Sequence, residues 1–405
     1  MNVNPYQNKR VLSGMRPTGP LHLGHLHGVL HNWISLQHTH ECFFFVADWH
    51  ALTTEYDNTR VISRSVTDMV VDWLAAGVNP SAATLFIQSR IPEHAELHLL
   101  LSMITPLGWL ERVPTYKDQQ EKLKEKDLAT YGFLGYPLLQ SADILIYRAG
   151  HVPVGEDQVA HVELTREIAR RFNFLYGREP EFEEKAKLAI SRMGKKNAGL
   201  YRQHRKRYQE SGDLESLEVA HALLESLQNI SIGDKERLFG YLQGEGKTIL
   251  PEPQPLLART VKMAGLDGQK MSKSYRNTLS LREETQDIER KIRTMPTDPA
   301  RVKRTDPGNP EKCPVWQLHE TYSPDEVRTW VDEGCRSAGI GCIECKQPVI
   351  DAVEREVKPI RERAAEYMEH ESTVHSIIKE GCEQARDVAR DTLDDVREAI
   401  GLPYR

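Results

Sequence analysis

The sequence predicts an α/β fold, a Rossmann-like, doubly wound parallel sheet followed by an all-helical C-terminal domain. Three features support this. Apolar runs of strand length alternate with helical patterns through the first half of the chain. Beyond about residue 346 the pattern is helical alone. The 405 residues exceed one typical domain and suffice to bury a large core.

Arg10-Val-Leu-Ser reads as a short strand entering a turn that holds Gly14, Pro17, Gly19 and Pro20. Helical pattern follows from about Gly24. Cys42-Phe-Phe-Phe-Val-Ala47 is a continuous apolar run, as expected when both faces of a parallel sheet are covered. Over 60–76, Ile62, Val66, Met69, Trp73 and Leu74 recur at helical spacing, and Gly77 suits the helix end. Ala83-Thr-Leu-Phe-Ile-Gln88 is the next strand, and Val152-Pro-Val154 runs into a helix near 159–172. Residues 186–247 look helical and polar, with a basic run of Arg192, Lys195, Lys196, Arg202, Arg205, Lys206 and Arg207. Pro296, Pro299, Pro307, Gly308, Pro310 and Pro314 mark a domain connection. In the last helix Val374, Ile378, Cys382, Ala385, Val388 and Val396 form one apolar stripe, ending at Gly401-Leu-Pro403. The expected division is a catalytic domain over 1–185, a helical insertion over 186–247, the rest of the catalytic domain over 248–295 and a helical domain over 296–405.

Hydrophobic content of 39% and charged content of 28% fit an ordinary soluble globular protein. The formal charge of −6 means that any nucleic acid must be met by a local basic patch. No apolar run approaches the roughly 18 residues of a membrane span. The opening ten residues lack the apolar core of a signal peptide, so a cytoplasmic location is expected. Cys42 and Cys382 stand alone, whereas Cys313, Cys335, Cys342 and Cys345 are clustered. Such a cluster points to a metal site and not to a disulfide scaffold. A zinc ribbon would show two close pairs, and only Cys342 and Cys345 make one; irregularly spaced thiolates suit a [4Fe–4S] cluster equally well.

Two short motifs carry chemistry. In Lys270-Met-Ser-Lys-Ser274, two lysines and two hydroxyls on a loop can close onto a triphosphate and neutralise its developing charge. The plainer reading is a solvated basic loop. His22-Leu-Gly-His25 follows the first strand and turn, at a helix N-terminus that favours phosphate. Gly24 removes a side chain where adenine could stack, and the two imidazoles can donate to phosphate oxygens. His27 and His31 follow at i, i+4 spacing, so a histidine metal site competes, although no nearby acidic residue completes a ligand set.

In this order the two motifs resemble the HIGH and KMSKS signatures of class I aminoacyl-tRNA synthetases. Gly14-Met-Arg-Pro-Thr-Gly19, Ala47-Asp-Trp-His-Ala-Leu-Thr-Thr54, Tyr136-Pro-Leu-Leu-Gln-Ser-Ala-Asp143 and Val152-Pro-Val-Gly-Glu-Asp-Gln158 narrow the likeness to the bacterial tryptophanyl-tRNA synthetases. The resemblance covers almost the whole chain except roughly 186–247. It implies that Arg16, Pro17, Thr18, Gly24 and His25 bind ATP, with Gly155, Glu156, Asp157 and Val261 at ribose and adenine. Lys270, Met271, Ser272, Lys273 and Ser274 would close over the phosphates, and His22, His25, Lys270 and Lys273 would be catalytic. Asp143 would accept the indole N–H of tryptophan, whereas Tyr136, His50 and Gln158 would hold its ammonium and carboxylate. Gln140 stands where some members put an apolar pocket residue.

The resemblance further implies L-tryptophan, ATP with Mg²⁺, and tRNA(Trp) as partners, and a homodimer. The cysteine quartet is similar to that of a subgroup carrying a [4Fe–4S] cluster in its anticodon-binding domain, with Zn²⁺ the alternative at the same cysteines. Arg301, Lys303 and Arg304, next to the quartet, are candidates for anticodon phosphates. Two departures stand out: Leu23 replaces the usual isoleucine, and Arg276 stands where many relatives have glycine. A nucleotidylyltransferase shares the HxGH turn but has no reason to carry Gly155-Glu-Asp-Gln158. A non-catalytic RNA-binding iron–sulfur regulator on a synthetase scaffold is the other alternative, and it would have no use for intact His22, His25, Lys270 and Lys273.

Overall fold

The computed structural model describes residues 9–113, 130–177, 181–244, 246–257 and 263–403; the side chains of Asp157, Ile232 and Ser274 are also outside the description, as is all of Val261. Among the described residues five strands form one sheet: β1 (Arg10–Met15), β2 (Glu41–Val46), β3 (Ala83–Ile87), β4 (His151–Val154) and β5 (Gln254–Leu257). Their order is β3-β2-β1-β4-β5, and every neighbour pair is parallel. β1 and β2 run in register from Arg10 against Glu41 to Met15 against Val46. From Cys42 to Val46 every residue of β2 is buried, which accounts for a strand with no polar alternation. β5, Gln254-Pro-Leu-Leu257, is a strand that sequence pattern misses, being four residues long and interrupted by proline.

The chain winds outward from β1 through β2 to β3, then returns to β4 on the other side. That reversal opens a crevice at the carboxyl ends of β1 and β4, where open α/β sheets bind ligands. The helix after β1 starts at Leu23, and it is not uniformly α: a π turn, Leu26–Leu30, separates Leu23–His25 from His31–Leu36. Such turns recur at functional sites. Thr59–Ala76 is the amphipathic helix expected there, closed by Gly77 at φ +118°.

Four helices, Phe182–Arg192, Lys195–Ser211, Leu214–Ser226 and Ile232–Gln243, make a small hydrophobic cluster of their own around Tyr201, Leu224, Leu238 and Phe239. The C-terminal helices Cys342–Glu369 and Glu371–Ala399 instead share the core of the sheet. Val349, Val353 and Val357 join it from the first, and Val374, Ile378, Ala385 and Val396 from the second. Val388, expected in that stripe, is only half-buried at its edge, and Ala389 takes the buried place. Among the described residues, no helix is long and apolar enough to cross a membrane.

Candidate active site

Backbone pairing brings the two short motifs together. The amide of Leu23 donates to the Leu279 carbonyl at 3.0 Å, and that of Leu281 to Leu21 at 3.1 Å, so the chain leaving the lysine loop runs beside the histidine turn. Buried Asp72, on the helix Thr59–Ala76, locks this junction. Its carboxylate accepts from the Leu21 amide and from the Arg282 guanidinium. Burial raises its pKa to about 6 despite Arg282. Sequence reasoning missed both residues; an acid beside Trp73 on an apolar helix face was the available signal.

Within the turn, His22 Nδ1 accepts from the Gly24 amide at 3.1 Å, and His25 Nδ1 accepts from the His22 amide at 3.2 Å. An imidazole nitrogen that accepts carries no proton, so in a neutral ring the other nitrogen is the donor. Burial and the nearby Lys273 charge lower His22 to about 4, and burial holds His25 well below its ordinary value. Both rings are therefore neutral Nε2–H donors near pH 7, suited to phosphate oxygens. Besides the space expected for adenine, Gly24 has a local structural reason. A Cβ there would lie 2.9 Å from the His22 ring, which must fold back over this backbone to accept its bond.

The motif lysines diverge. Lys273 Nζ donates to the Gly19 carbonyl at 2.7 Å, against the first turn, while Lys270 is exposed. Burial lowers Lys273 to about 8, with Arg16 pushing the same way and Asp72 opposing. Asn277 braces the loop: its Oδ1 accepts from the Ser272 amide, and its Nδ2 donates to Asp267 and to the Lys270 carbonyl. Met271 is buried beneath, 3.6 Å from where a Gly24 Cβ would stand. Arg276 adopts a left-handed backbone, φ +53°.

A cavity of about 380 Å³ fills the β1–β4 crevice, within the range of small-ligand sites. Arg16, His50, Tyr136, Gln140, Asp143, Gly155 and Gln158 all line it, together with Phe45, Thr53 and Phe133. Pro17 is buried and Thr18 half-buried in the turn beside Arg16, and Glu156 is exposed after β4. Asp143, on the helix Tyr131–Ile146, is buried and already well supplied with donors. His50 Nε2 lies 2.7 Å from it, His94 Nδ1 2.6 Å, and Gln88 Nε2 donates to both oxygens at 2.8 and 3.0 Å. Burial alone would raise its pKa, but the bonds from His50 and His94 outweigh that and bring it to about 2. His94 continues to the Tyr147 hydroxyl at 2.7 Å. His50 thus meets Asp143, and Tyr136 meets His161 at 3.2 Å. Gln88 and His94 were missed because Gln88 merely ends an apolar strand and His94 stands in a polar stretch that matches no motif.

Cys313, Cys335, Cys342 and Cys345 line a second, small cavity of about 20 Å³ with Arg301 and Lys346. Burial and the other three thiols push Cys345 up to about 12. Arg301 overturns one expectation. It is buried, its guanidinium donating to Cys335 Sγ and to the carbonyls of Arg304 and Ile340, so it braces this cavity and does not face anticodon phosphates. Lys303 and Arg304 remain exposed.

Comparison with known proteins shows the family. The family of class I tRNA synthetases for W and Y matches residues 5–196 and 227–358. A tryptophan–tRNA ligase of Ralstonia nicotianae is 67% identical over 396 residues, spanning 98% of this chain and 99% of that one. One from Thermotoga maritima is 43% identical, over 98% and 100%. The structure of tryptophanyl-tRNA synthetase from Campylobacter jejuni, complexed with ADP and tryptophan, superposes with a TM-score of 0.71 at 25% identity, covering 97% of this chain and all of that one. The chain belongs to the class I tRNA synthetases and, among them, to the bacterial tryptophanyl-tRNA synthetases.

Proposed function

We infer that the β1–β4 cavity is where tryptophan and ATP react. The chain is a tryptophan–tRNA ligase. Tryptophan's carboxylate attacks the α-phosphorus of ATP·Mg²⁺, displacing pyrophosphate, and the acyl group then passes to the terminal ribose of tRNA(Trp). The attacking carboxylate is ionised at neutral pH, so the first step needs no general base. What the reaction needs is position and charge. In our assignment Nε2–H of His22 and of His25 donates to phosphate, Lys273 neutralises charge as the loop closes, and Lys270 joins it. Arg16, Pro17, Thr18, Gly24 and the segment 155–157 hold the nucleotide; Tyr136, His50, Gln140, Gln158 and Asp143 hold tryptophan. The observation that carries this reading is Lys273 lying against the turn that leads into His22, beside a cavity ending on Asp143. Tryptophan-dependent exchange of pyrophosphate into ATP tests it: exchange with tryptophan, and about a hundredfold less in Lys273→Ala, is expected. Exchange undiminished in Lys273→Ala would refute the role.

The four cysteines fit a thiolate-held centre, being one all-sulfur donor set with Arg301 and Lys346 beside it to balance negative charge. We assign a [4Fe–4S] cluster there, with Zn²⁺ the rival. The present cavity has room for little more than a single ion, so a cluster requires the sulfurs to turn outward. The segments 1–185 and 248–295 then form the catalytic body, 186–247 an insertion and 296–405 the anticodon-binding part. A homodimer suits the exposed apolar side chains of Leu99, Met103 and Leu107 and an apolar hollow lined by Trp49, Tyr56 and Tyr131. The regulator reading finds no support in this site.

A further inference from the structure

His27 and His31 lie one turn beyond the histidine motif, and the reaction uses neither. The fold brings them the acid that their own neighbourhood lacks. Glu356, on the helix Cys342–Glu369, places Oε2 3.0 Å from His27 Nε2 and Oε1 3.8 Å from His31 Nε2. The three ligand atoms lie within 4.8 Å of one another. The imidazoles meet edge to face, centroids 4.8 Å apart at 73°, with both Nε2 atoms converging on one carboxylate. Tyr322 donates its hydroxyl to Glu356 Oε2 at 2.7 Å, orienting the carboxylate as outer-shell partners of metal ligands do.

We propose that His27, His31 and Glu356 form a binding site for one borderline divalent cation, with Zn²⁺ the best match. Two imidazoles and a carboxylate are a zinc donor set, and three protein ligands leave a fourth position for water. Metal bonds of about 2.0–2.2 Å put tetrahedral ligand atoms roughly 3.4 Å apart. The two spacings to Glu356 bracket that value, and rotation of the His31 ring closes the third. His31 is 48% exposed and His27 13%, so the site opens on the His31 side, where an ion enters and water completes its shell. A hydrogen-bonded cluster alone explains His27, Tyr322 and Glu356. It leaves His31 beyond bonding distance of the carboxylate it faces. The ligands come from the helix of the histidine motif and from the long C-terminal helix, so the ion ties these two elements together.

Equilibrium dialysis of the full chain against Zn²⁺, read by elemental analysis, tests the assignment against His31→Ala and Glu356→Gln. Any metal at the cysteines is common to all three proteins, so the difference isolates this site. We expect one more zinc per chain in the wild type, and a zinc-induced rise in Tm that is a few degrees larger in the wild type than in either variant. Equal zinc counts in all three would overturn the proposal. Labelling of the wild type with diethyl pyrocarbonate, located by mass spectrometry, needs no variant. Zinc should protect His31 while the exposed His375 is labelled as before; His31 labelled equally with and without zinc would also overturn it.

Discussion

Under the role proposed for Lys273, its ionisation is expected to set an operating range. Burial brings it to about 8, and only its protonated form neutralises phosphate. As pH rises through about 8 the free enzyme loses that proton, so kcat/KM for ATP falls, approaching tenfold per unit. Arginine keeps its charge, so in Lys273→Arg the alkaline limb should vanish even though turnover is lower. Pyrophosphate exchange followed from neutral to alkaline pH checks this, and a limb unchanged in Lys273→Arg assigns it to another group. His22 and His25, both held neutral well below 6.5, should add no limb near that value. Asp143 poses a different question, since its carboxylate already meets three protein donors and an indole N–H must share it or displace one. A site built to pair an N–H rejects the analogue lacking it by roughly 10⁴. The benzothiophene analogue of tryptophan, with sulfur in place of N–H, separates recognition from scaffolding. Asp143→Ala should collapse the preference for tryptophan over it to within about tenfold. Preference retained alongside a uniform loss of rate would make Asp143 a brace for His50 and His94 only.

Helices and strands show where sequence was a sufficient guide and where it was not. Contiguous patterns were legible: β2 from its apolar run, Thr59–Ala76 from its spacing, and both motifs from their letters. Arg276 was legible as a departure, and the backbone gives the reason, because its left-handed φ is one that glycine takes without steric cost. Pairings across the fold left no local trace. Gln88 and His94 reach Asp143 over 55 and 49 positions, Arg282 reaches Asp72 over 210, and Glu356 reaches His27 over 329. The same holds for the docking of Glu371–Ala399 on β3. There Gly381 lets helix and strand touch, since a Cβ would sit 1.9 Å from the Leu85 carbonyl oxygen. Gly381→Ala gains about 1 kcal/mol of helix propensity, but forcing the helix off a close-packed edge costs about 1–3 kcal/mol. A thermal melt should show Tm lowered by a few degrees. An unchanged or higher Tm would mean that this contact does not hold the helix.

The helix Cys342–Glu369 connects, from its first turn to its middle, chemistry that the linear chain keeps apart. Its first turn presents Cys342 and Cys345, and Glu356 further along touches the helix of the histidine motif. At 1.5 Å per residue, Cys345 and Glu356 are about 16 Å apart along one continuous helix, with Pro348 between them. Two outcomes of breaking the cysteine site are therefore distinct. If the centre only shapes a surface for tRNA, Cys335→Ser should lower aminoacylation while tryptophan-dependent pyrophosphate exchange persists. The packing of this helix into the sheet's own core favours that outcome, because Val349, Val353 and Val357 hold its middle without help from the cysteines. Loss of exchange together with charging would instead show that disorder at the cysteines travels along this helix to the histidine turn. The same preparation identifies the centre: purified without air, the wild type should be brown, with about four irons per chain. One zinc per chain at the cysteines, surviving in His31→Ala, would replace the cluster with a structural ion. The division between charging and activation would still be decided by the exchange rate of Cys335→Ser.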